Sequence, residues 1–239
     1  ESQGPLLVHW FFDRNLSPEA TSLPSMEAQH AKSLRIRAGE EITITNGAGL
    51  VSVARVVSEV PLEFSILDTQ SFQKAKFRFH LIQALAKNDR DELALQAAVE
   101  LGATSITPWQ SARSIVRWDS KEDKNKLRWQ QIAIEAMKQS QQPFLPEVNS
   151  VVKTKDLQVS DGIGLVLDPR GTRALSEVKF ESGLVSLVVG PEGGITPEEL
   201  TLLAANGFST VRLGGSVLRA STAGPAAIAA ISALTGNWN

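Results

Sequence analysis

Apolar positions along the chain change their spacing near residue 73. Before that point they alternate with polar residues, as in Glu41–Thr45, which is typical of half-buried strands. Asn46 and Gly47 follow this run, and the Asn-Gly pair predicts a hairpin with residues 50–57 as its second strand. Short strands joined by tight turns favour a small β-barrel, which we predict for residues 1–73.

Beyond residue 73, continuous apolar runs alternate with segments of helical spacing. The runs have the length and β-branched content of buried strands, and they cover residues 77–85, 106–109, 163–167 and 184–189. Residues 121–140 carry an apolar stripe with Trp129, and we expect Trp118 and Trp129 to lie in the core. This alternation predicts an α/β domain with a mostly parallel sheet over residues 74–239.

A helix is expected directly after the first of these strands. Asp89 with Glu92 has the spacing of a capping box, and Gly102 is a stop signal. Between them, Leu93, Ala97 and Leu101 share one face, which we expect to be the apolar face of the helix.

Two glycine-rich segments follow strands in the last third of the chain. Residues 190–194 read Gly-Pro-Glu-Gly-Gly, and Gly214-Gly215 follows a second short strand at residues 209–213. Thr196, Pro197 and Glu199 have the types and spacing of an N-cap, a first helical residue and a capping box, so a helix begins there.

Glycine loops at the ends of parallel strands can line one ligand pocket, because such strand ends share an edge of the sheet. The turn at residues 168–171, Asp-Pro-Arg-Gly, is a third candidate wall. Tight turns without any ligand are one alternative, and a phosphate-binding nucleotide enzyme is another. Against the second alternative, both the GxGxxG and the P-loop patterns are missing and Glu192 would repel phosphate.

Composition narrows the function classes only slightly. The formal net charge is −2, so RNA binding would need a local basic patch rather than a global field. Cysteine is absent, which fits a reducing cytosol, and the three histidines lack metal-site spacing. The sequence has no apolar run long enough to span a bilayer.

The glycine segments carry a resemblance to a known family. GPEGG with its Thr-Pro-Glu-Glu helix start, and LGGSVLRASTAGPAAIAAI after it, resemble the C-terminal signature of the SPOUT methyltransferases. Within them the chain is most similar to the bacterial family that methylates N3 of a uridine, uracil 1498, in 16S ribosomal RNA. The resemblance implies a deep trefoil knot that binds S-adenosylmethionine and an N-terminal PUA-like, RNA-binding β-barrel. It also implies a homodimer, the 30S subunit as substrate and a cytoplasmic location.

The resemblance also implies roles for individual residues. The cofactor-binding positions would be Leu167, Asp168, Gly190, Pro191, Glu192, Gly193, Leu213, Gly214, Leu218 and Ala223. The RNA-binding positions would be His30, Arg35, Arg37 and Arg113. Arg219 is the candidate catalytic residue, because a cation beside the uracil carbonyls would stabilise the charge that develops on them. Alternatively, Arg219 pairs with Glu192 and only holds the shape of the pocket.

Three positions depart from the family pattern, the first being Trp10, where the family often has Arg before its Phe pair. Ser221 stands where the family has Glu, and Gln142 stands where it commonly has Arg. These changes leave open a non-catalytic RNA-binding protein that keeps the fold. No general base is evident; Asp168 and Glu192 are the candidates, and Ser221 is a poor base.

Overall fold

The chain forms two units in the computed structural model, which describes residues 9–181 and 183–238. The first unit consists of the described residues up to Lys74 together with Met137–Leu145. The second consists of Ala75–Ala136 and the chain from Pro146 onward. Residues 1–8 of the predicted N-terminal domain lie outside the described part of the chain.

The first unit is built on a four-stranded sheet. Its elements are β1 His9–Phe12, α1 Ser25–Ser33, β2 Glu41–Thr45, β3 Leu50–Glu59 and β4 Leu62–Ser71. The strand order is β1-β2-β3-β4, with β1 parallel to β2 and the other two pairings antiparallel. The predicted β2–β3 hairpin is confirmed: the Asn46 side-chain oxygen accepts hydrogen bonds from the backbone N–H of Ala48 and Leu50, at 2.8 and 3.0 Å.

The second unit has a seven-stranded sheet with helices between its strands. Its elements are β5 Phe77–Ala84, α2 Arg90–Glu100, β6 Ala103–Trp109, α3 Glu122–Gln139, β7 Glu147–Val148, β8 Ile163–Leu167, β9 Arg173–Ala174, β10 Gly183–Val189, α4 Pro197–Ala205, β11 Phe208–Arg212 and α5 Ala220–Thr235. The last residues of α3, 137–139, belong to the first unit. The strand order is β7-β6-β5-β10-β8-β11-β9, and each of these neighbouring pairs is parallel. The predicted α/β class with a mostly parallel sheet is confirmed.

Helix α2 begins differently from the prediction. Asp89 adopts a left-handed conformation with φ 55° and makes no capping hydrogen bond, so the predicted capping box is wrong. The carboxylate of Asp91 accepts hydrogen bonds from the N–H of Ala86 and Glu92 instead, at 3.1 and 2.9 Å. Glu92 is drawn away from the cap because it forms an ion pair with Arg128.

The buried face of α2 also differs from the predicted one. Leu93 is 56% exposed, whereas the buried apolar residues of the helix are Ala94, Leu95, Ala98 and Val99. The predicted face was therefore wrong, since the alanines on the opposite side allow the helix to pack closely. The predicted core positions Trp118 and Trp129 are confirmed: both are buried, with ring centroids 5.1 Å apart in an edge-to-face arrangement.

Helix α4 packs against β11, and helix α5 packs against β5 and β10. The capping box of α4 is confirmed: Glu199 N–H donates to the Thr196 hydroxyl, and the Glu199 carboxylate accepts from Thr196 N–H. Helix α5 packs closely on β5, since a Cβ at Gly224 would lie 2.6 Å from the Leu81 side chain. No helix in the ranges 9–181 and 183–238 is long and apolar enough to cross a lipid bilayer.

A buried ion pair stabilises the first unit. Lys138, in the last turn of α3, places its Nζ 2.9 Å from Oε1 of Glu27 in α1, and their side chains are only 5% and 13% exposed. The two residues are 111 positions apart in sequence, so local pattern reasoning did not find the pair. A lysine is rarely buried without a partner. Within the first unit, this ion pair links the segment 137–145 to helix α1.

Candidate functional site

All strands of the second unit are parallel, and five of them lead into the loops that form one edge of the sheet. The strands are β5, β6, β8, β10 and β11, and the loops that follow cover residues 85–89, 110–118, 168–172, 190–196 and 213–219. In open α/β sheets ligands bind outside the carboxyl ends of the strands. This edge of the second unit is therefore the candidate site.

Residues 190–196, which we call the first glycine loop, need glycine at two positions for different reasons. Gly194 has φ +72° and donates its N–H to the carbonyl of Pro191 at 2.8 Å, which closes a tight turn. At Gly190, a Cβ would lie 2.6 Å from the side chain of Ile195. Glycine at these two positions therefore allows the conformation of the loop.

Three arginines from three different segments hold the first glycine loop. Their contacts are Arg90 Nη1 to Glu192 Oε1 at 3.3 Å, Arg113 Nη1 to the Gly193 carbonyl at 2.8 Å, and Arg170 Nη2 to the Ile195 carbonyl at 2.8 Å. Sequence reasoning missed the roles of Arg90 and Arg170. The one sequence signal for Arg170 was the Asp-Pro-Arg-Gly turn at residues 168–171, which places this arginine two residues after Asp168.

Asp168 is buried and paired with Arg170. Arg170 donates from Nε and Nη2 to the two carboxylate oxygens, at 2.9 and 2.6 Å, and also from its backbone N–H at 2.8 Å. These hydrogen bonds from Arg170 lower the pKa of Asp168 below its ordinary value. Asp168 is therefore a weak base, and the structure favours a role for it in holding the loops together rather than in accepting a proton.

Glu199 connects the glycine loop to two further segments. Its Oε1 accepts hydrogen bonds from Ala112 N–H at 2.8 Å and from the Thr154 hydroxyl at 2.7 Å. Its Oε2 accepts from Thr196 N–H at 3.2 Å, and the residue is only 6% exposed. Sequence reasoning found the capping role but not the other two contacts, which come from distant parts of the chain.

Residues 213–219, the second glycine loop, are open. Residues 214–219 are exposed, and a Cβ added at Gly214 or Gly215 would meet no heavy atom within 4 Å. Leu213 is partly exposed and Leu218 is 38% exposed. Packing within the second unit thus gives no reason for this glycine pair, which leaves free space beside the backbone.

Arg219 ends the second glycine loop and lies at the N-cap of α5, where its carbonyl accepts from the N–H groups of Thr222 and Ala223 at 2.9 and 3.0 Å. Its guanidinium is exposed, and within the described residues it forms no ion pair or side-chain hydrogen bond. The alternative in which Arg219 pairs with Glu192 is not what the structure shows, because Glu192 pairs with Arg90.

The predicted RNA-binding residues are divided between the units. His30, Arg35 and Arg37 lie in the first unit, and Arg113 lies in the second. The His30 ring contacts Phe11 edge-to-face at 6.0 Å, and Arg37 forms an exposed ion pair with Glu59 at 3.1 Å. Arg35 is exposed with φ 58°. Their RNA contacts stay a prediction.

Two titratable groups of the second unit have strongly shifted pKa values: His80 in the middle of β5 and Asp91 in the first turn of α2. Burial lowers the pKa of His80, which is hydrogen-bonded to the hydroxyl of Thr107, from 6.5 to about 4. Burial also raises the pKa of Asp91 from 3.8 to about 6, because desolvation outweighs the two backbone hydrogen bonds to its carboxylate. The histidine is therefore neutral at pH 7, and the aspartate holds its proton more tightly than an exposed one.

These two groups should give the stability of the second unit opposite pH slopes. Stability from Asp91 is present near pH 4 and is lost as the pH rises to about 6, since the folded state binds the proton more strongly. Stability from His80 is present above pH 6.5 and is lost as the pH falls towards 4, since the unfolded state then binds a proton first. Each contribution is on the order of 3 kcal/mol.

We therefore expect Asp91→Asn to become more stable as the pH rises from about 4 to 6.5, and His80→Gln to become less stable over the same window. Denaturant midpoints measured across this range, with wild-type protein in parallel, test both slopes. Identical pH profiles for the wild type and both variants would contradict the assignment.

Comparison with known families gives one broad match. Residues 73–232 match a family model described as an RNA methyltransferase domain. The matched range begins near the start of the second unit and includes both glycine loops.

Relatives and solved structures agree with that match. The chain is 37% identical over 227 residues to the ribosomal RNA small subunit methyltransferase E of Mycobacterium bovis, covering 89% of this chain and 86% of the relative. A crystal structure of ribosomal RNA small subunit methyltransferase E from Neisseria gonorrhoeae, bound to S-adenosyl methionine, superposes with a TM-score of 0.87 at 34% identity, covering 95% and 98% of the two chains. A putative methyltransferase from Legionella pneumophila, in complex with the same cofactor, gives 0.88 at 27% identity, covering 96% and 98%.

Proposed function

This chain belongs to the family of the ribosomal RNA small subunit methyltransferases E, and from that membership we propose that it methylates N3 of a uridine in 16S ribosomal RNA, using S-adenosylmethionine. The proposed target is the nucleotide of the family, uracil 1498. The observation that carries the proposal is Arg219, an exposed cation beside the open second glycine loop that has no ion-pair partner among residues 9–181 and 183–238.

The two glycine loops fit the cofactor by their chemistry. The backbone of the exposed residues 214–218 offers N–H donors and carbonyl acceptors to an adenosyl group, and the space beside Gly214 and Gly215 admits close approach. The three-arginine support fixes the first glycine loop in advance, so little ordering is needed on binding. We propose Leu167, Asp168, Gly190, Pro191, Glu192, Gly193, Leu213, Gly214, Leu218 and Ala223 as the cofactor-binding set.

When bound, S-adenosylmethionine supplies an electrophilic methyl group on a sulfonium. The task of the chain is then to orient the acceptor nitrogen and to stabilise the uracil as its N3 proton leaves. Loss of that proton places negative charge on the two carbonyl oxygens beside N3, and Arg219 donates hydrogen bonds to them. Asp168 is held by Arg170 with a lowered pKa, so we assign the proton to solvent water at the exposed loop.

Other parts of the proposal rest on family membership. We propose that the second unit carries the trefoil knot of a SPOUT domain and that the first is a PUA-like, RNA-binding barrel with His30, Arg35 and Arg37 on its RNA side. Residues 1–73 and 74–239 are the proposed domains. The proposed assembly is a homodimer acting on the 30S subunit in the cytoplasm.

The test is transfer of labelled methyl groups from S-adenosylmethionine to 30S subunits that lack native modification, followed by nuclease mapping. We expect label at a single uridine, at its N3. Label elsewhere would overturn the proposed target. Binding of RNA without cofactor binding or transfer would favour the non-catalytic alternative, which Ser221 and Gln142 raise.

A further inference from the structure

The loop after β6, residues 110–118, is fixed at its base and in its first half. The Gln110 side chain donates to Asp119 at 3.2 Å and accepts from Trp118 N–H at 3.1 Å, which closes the loop. Ser111 and Ser114 share a buried hydrogen bond of 3.0 Å between their hydroxyls. With Ala112 bound to Glu199 and Arg113 bound to the first glycine loop, this β6 loop is tied to the candidate site.

The outer half of the β6 loop, residues 115–117, contains two exposed side chains, Ile115 and Arg117. Ile115 is 71% exposed, although isoleucine is among the residue types most often buried. Arg117 is exposed and forms no ion pair or side-chain hydrogen bond with any residue in the ranges 9–181 and 183–238. An exposed apolar side chain thus lies between two exposed arginines, Arg113 and Arg117, on a rigid loop.

We propose that the outer half of the β6 loop is a second RNA-binding site, in addition to the one proposed for the first unit. It binds the RNA strand next to the target nucleotide. Arg117 binds a backbone phosphate, and Ile115 packs against the base or ribose of a neighbouring nucleotide. This inference rests on the proposed function.

The chemistry of the target explains why such a contact is needed. Uridine N3 lies on the pairing edge of the base, so the base must leave its stack to enter the site. Apolar side chains inserted between base steps partially unstack them in other nucleic-acid complexes. An exposed arginine beside that apolar side chain fits the adjacent phosphate, since phosphate contacts fix the register of a strand. The hydrogen bonds from Ala112 to Glu199 and from Arg113 to Gly193 hold the first half of the loop in place before RNA arrives.

The salt dependence of RNA binding distinguishes the phosphate contact of Arg117 from the apolar contact of Ile115. The measurement is the affinity for 30S subunits lacking native modification, over a series of KCl concentrations. Arg117→Gln is expected to reduce the slope of log affinity against log salt by about 0.7–0.9, the value for one lost phosphate contact. Ile115→Ala is expected to weaken binding roughly threefold to tenfold at every salt concentration without changing the slope.

Matched controls come from the same unit. Arg78→Gln removes an exposed arginine that pairs with Asp161 at the amino end of β5, on the opposite edge of the sheet. Leu127→Ala removes a leucine that is 65% exposed on α3. Both controls are expected to bind like the wild type, and all four variants are expected to keep the wild-type melting temperature, because their side chains are exposed.

The outcomes distinguish this inference from the proposed function. If the wild type methylates 30S subunits while Arg117→Gln and Ile115→Ala bind as it does, the β6 loop does not contact RNA and its exposed side chains serve another partner. If Arg117→Gln changes the slope no more than Arg78→Gln does, the assigned phosphate contact is wrong. If the wild type neither binds nor methylates the subunits, the proposed function itself fails.

Discussion

Replacing Arg219 by alanine is expected to lower the rate of methyl transfer to 30S subunits by about 10²–10³-fold, the usual cost of removing one donor from a developing oxyanion. The affinity for S-adenosylhomocysteine should stay within about twofold, because the proposed cofactor contacts are mainly backbone groups of the glycine loops. The physical reason is that the Arg219 guanidinium is exposed and unpaired within the described residues, so its removal leaves no buried acid behind.

Single-turnover kinetics and calorimetric titration with S-adenosylhomocysteine measure the two quantities separately. Arg219→Lys keeps the charge but loses the planar pair of donors, so it should recover only part of the rate. Arg78→Ala serves as a control for the loss of one exposed arginine far from this edge. A normal single-turnover rate in Arg219→Ala would remove the residue from the mechanism.

Replacing Lys138 by alanine is expected to destabilise the first unit by about 3–5 kcal/mol, the range found when one member of a buried pair is removed. Glu27 would remain as a nearly buried carboxylate whose Oε2 already makes no hydrogen bond in the structure. Hydrogen exchange of the β2 and β3 amides reports on the stability of this unit without reference to the second. Exchange rates unchanged from the wild type would show that the pair contributes little.

The double variant Glu27→Leu/Lys138→Met provides the matched control. Replacing both charges by apolar side chains of similar size removes the cost of desolvation together with the attraction, so the double variant should lie much closer to the wild type than Lys138→Ala does. A double variant as unstable as the single one would mean that Lys138 acts through its other interactions rather than through Glu27.

Sequence reasoning succeeded where a few adjacent residues determine the structure. The capping box of α4 and the Asn46-Gly47 hairpin depend on contacts between residues two to four positions apart. The start of α2 shows the limit of the same rules. Asp89 and Glu92 have the right spacing, but Arg128, 36 residues away from Glu92, forms an ion pair with that glutamate, and the left-handed backbone at Asp89 prevents it from capping.

The candidate site was located from the sequence, but its supports were not. Strand ends and glycine pairs point to one edge of the sheet because the parallel order alone brings them together. The arginines that hold the first glycine loop contact residues 102, 80 and 25 positions away. No local sequence pattern encodes contacts over such separations. The sequence also does not distinguish the arginines that contact the loop from other arginines on the surface.

The way the arginines hold the first glycine loop has an evolutionary consequence. Arg113 and Arg170 bind main-chain carbonyls, which every amino acid possesses, so these two contacts place no demand on the side chains they support. Only the contact between Arg90 and Glu192 depends on side chains at both ends. Across lineages, positions 90 and 192 should therefore change together, whereas Arg113 and Arg170 constrain the loop only through its backbone.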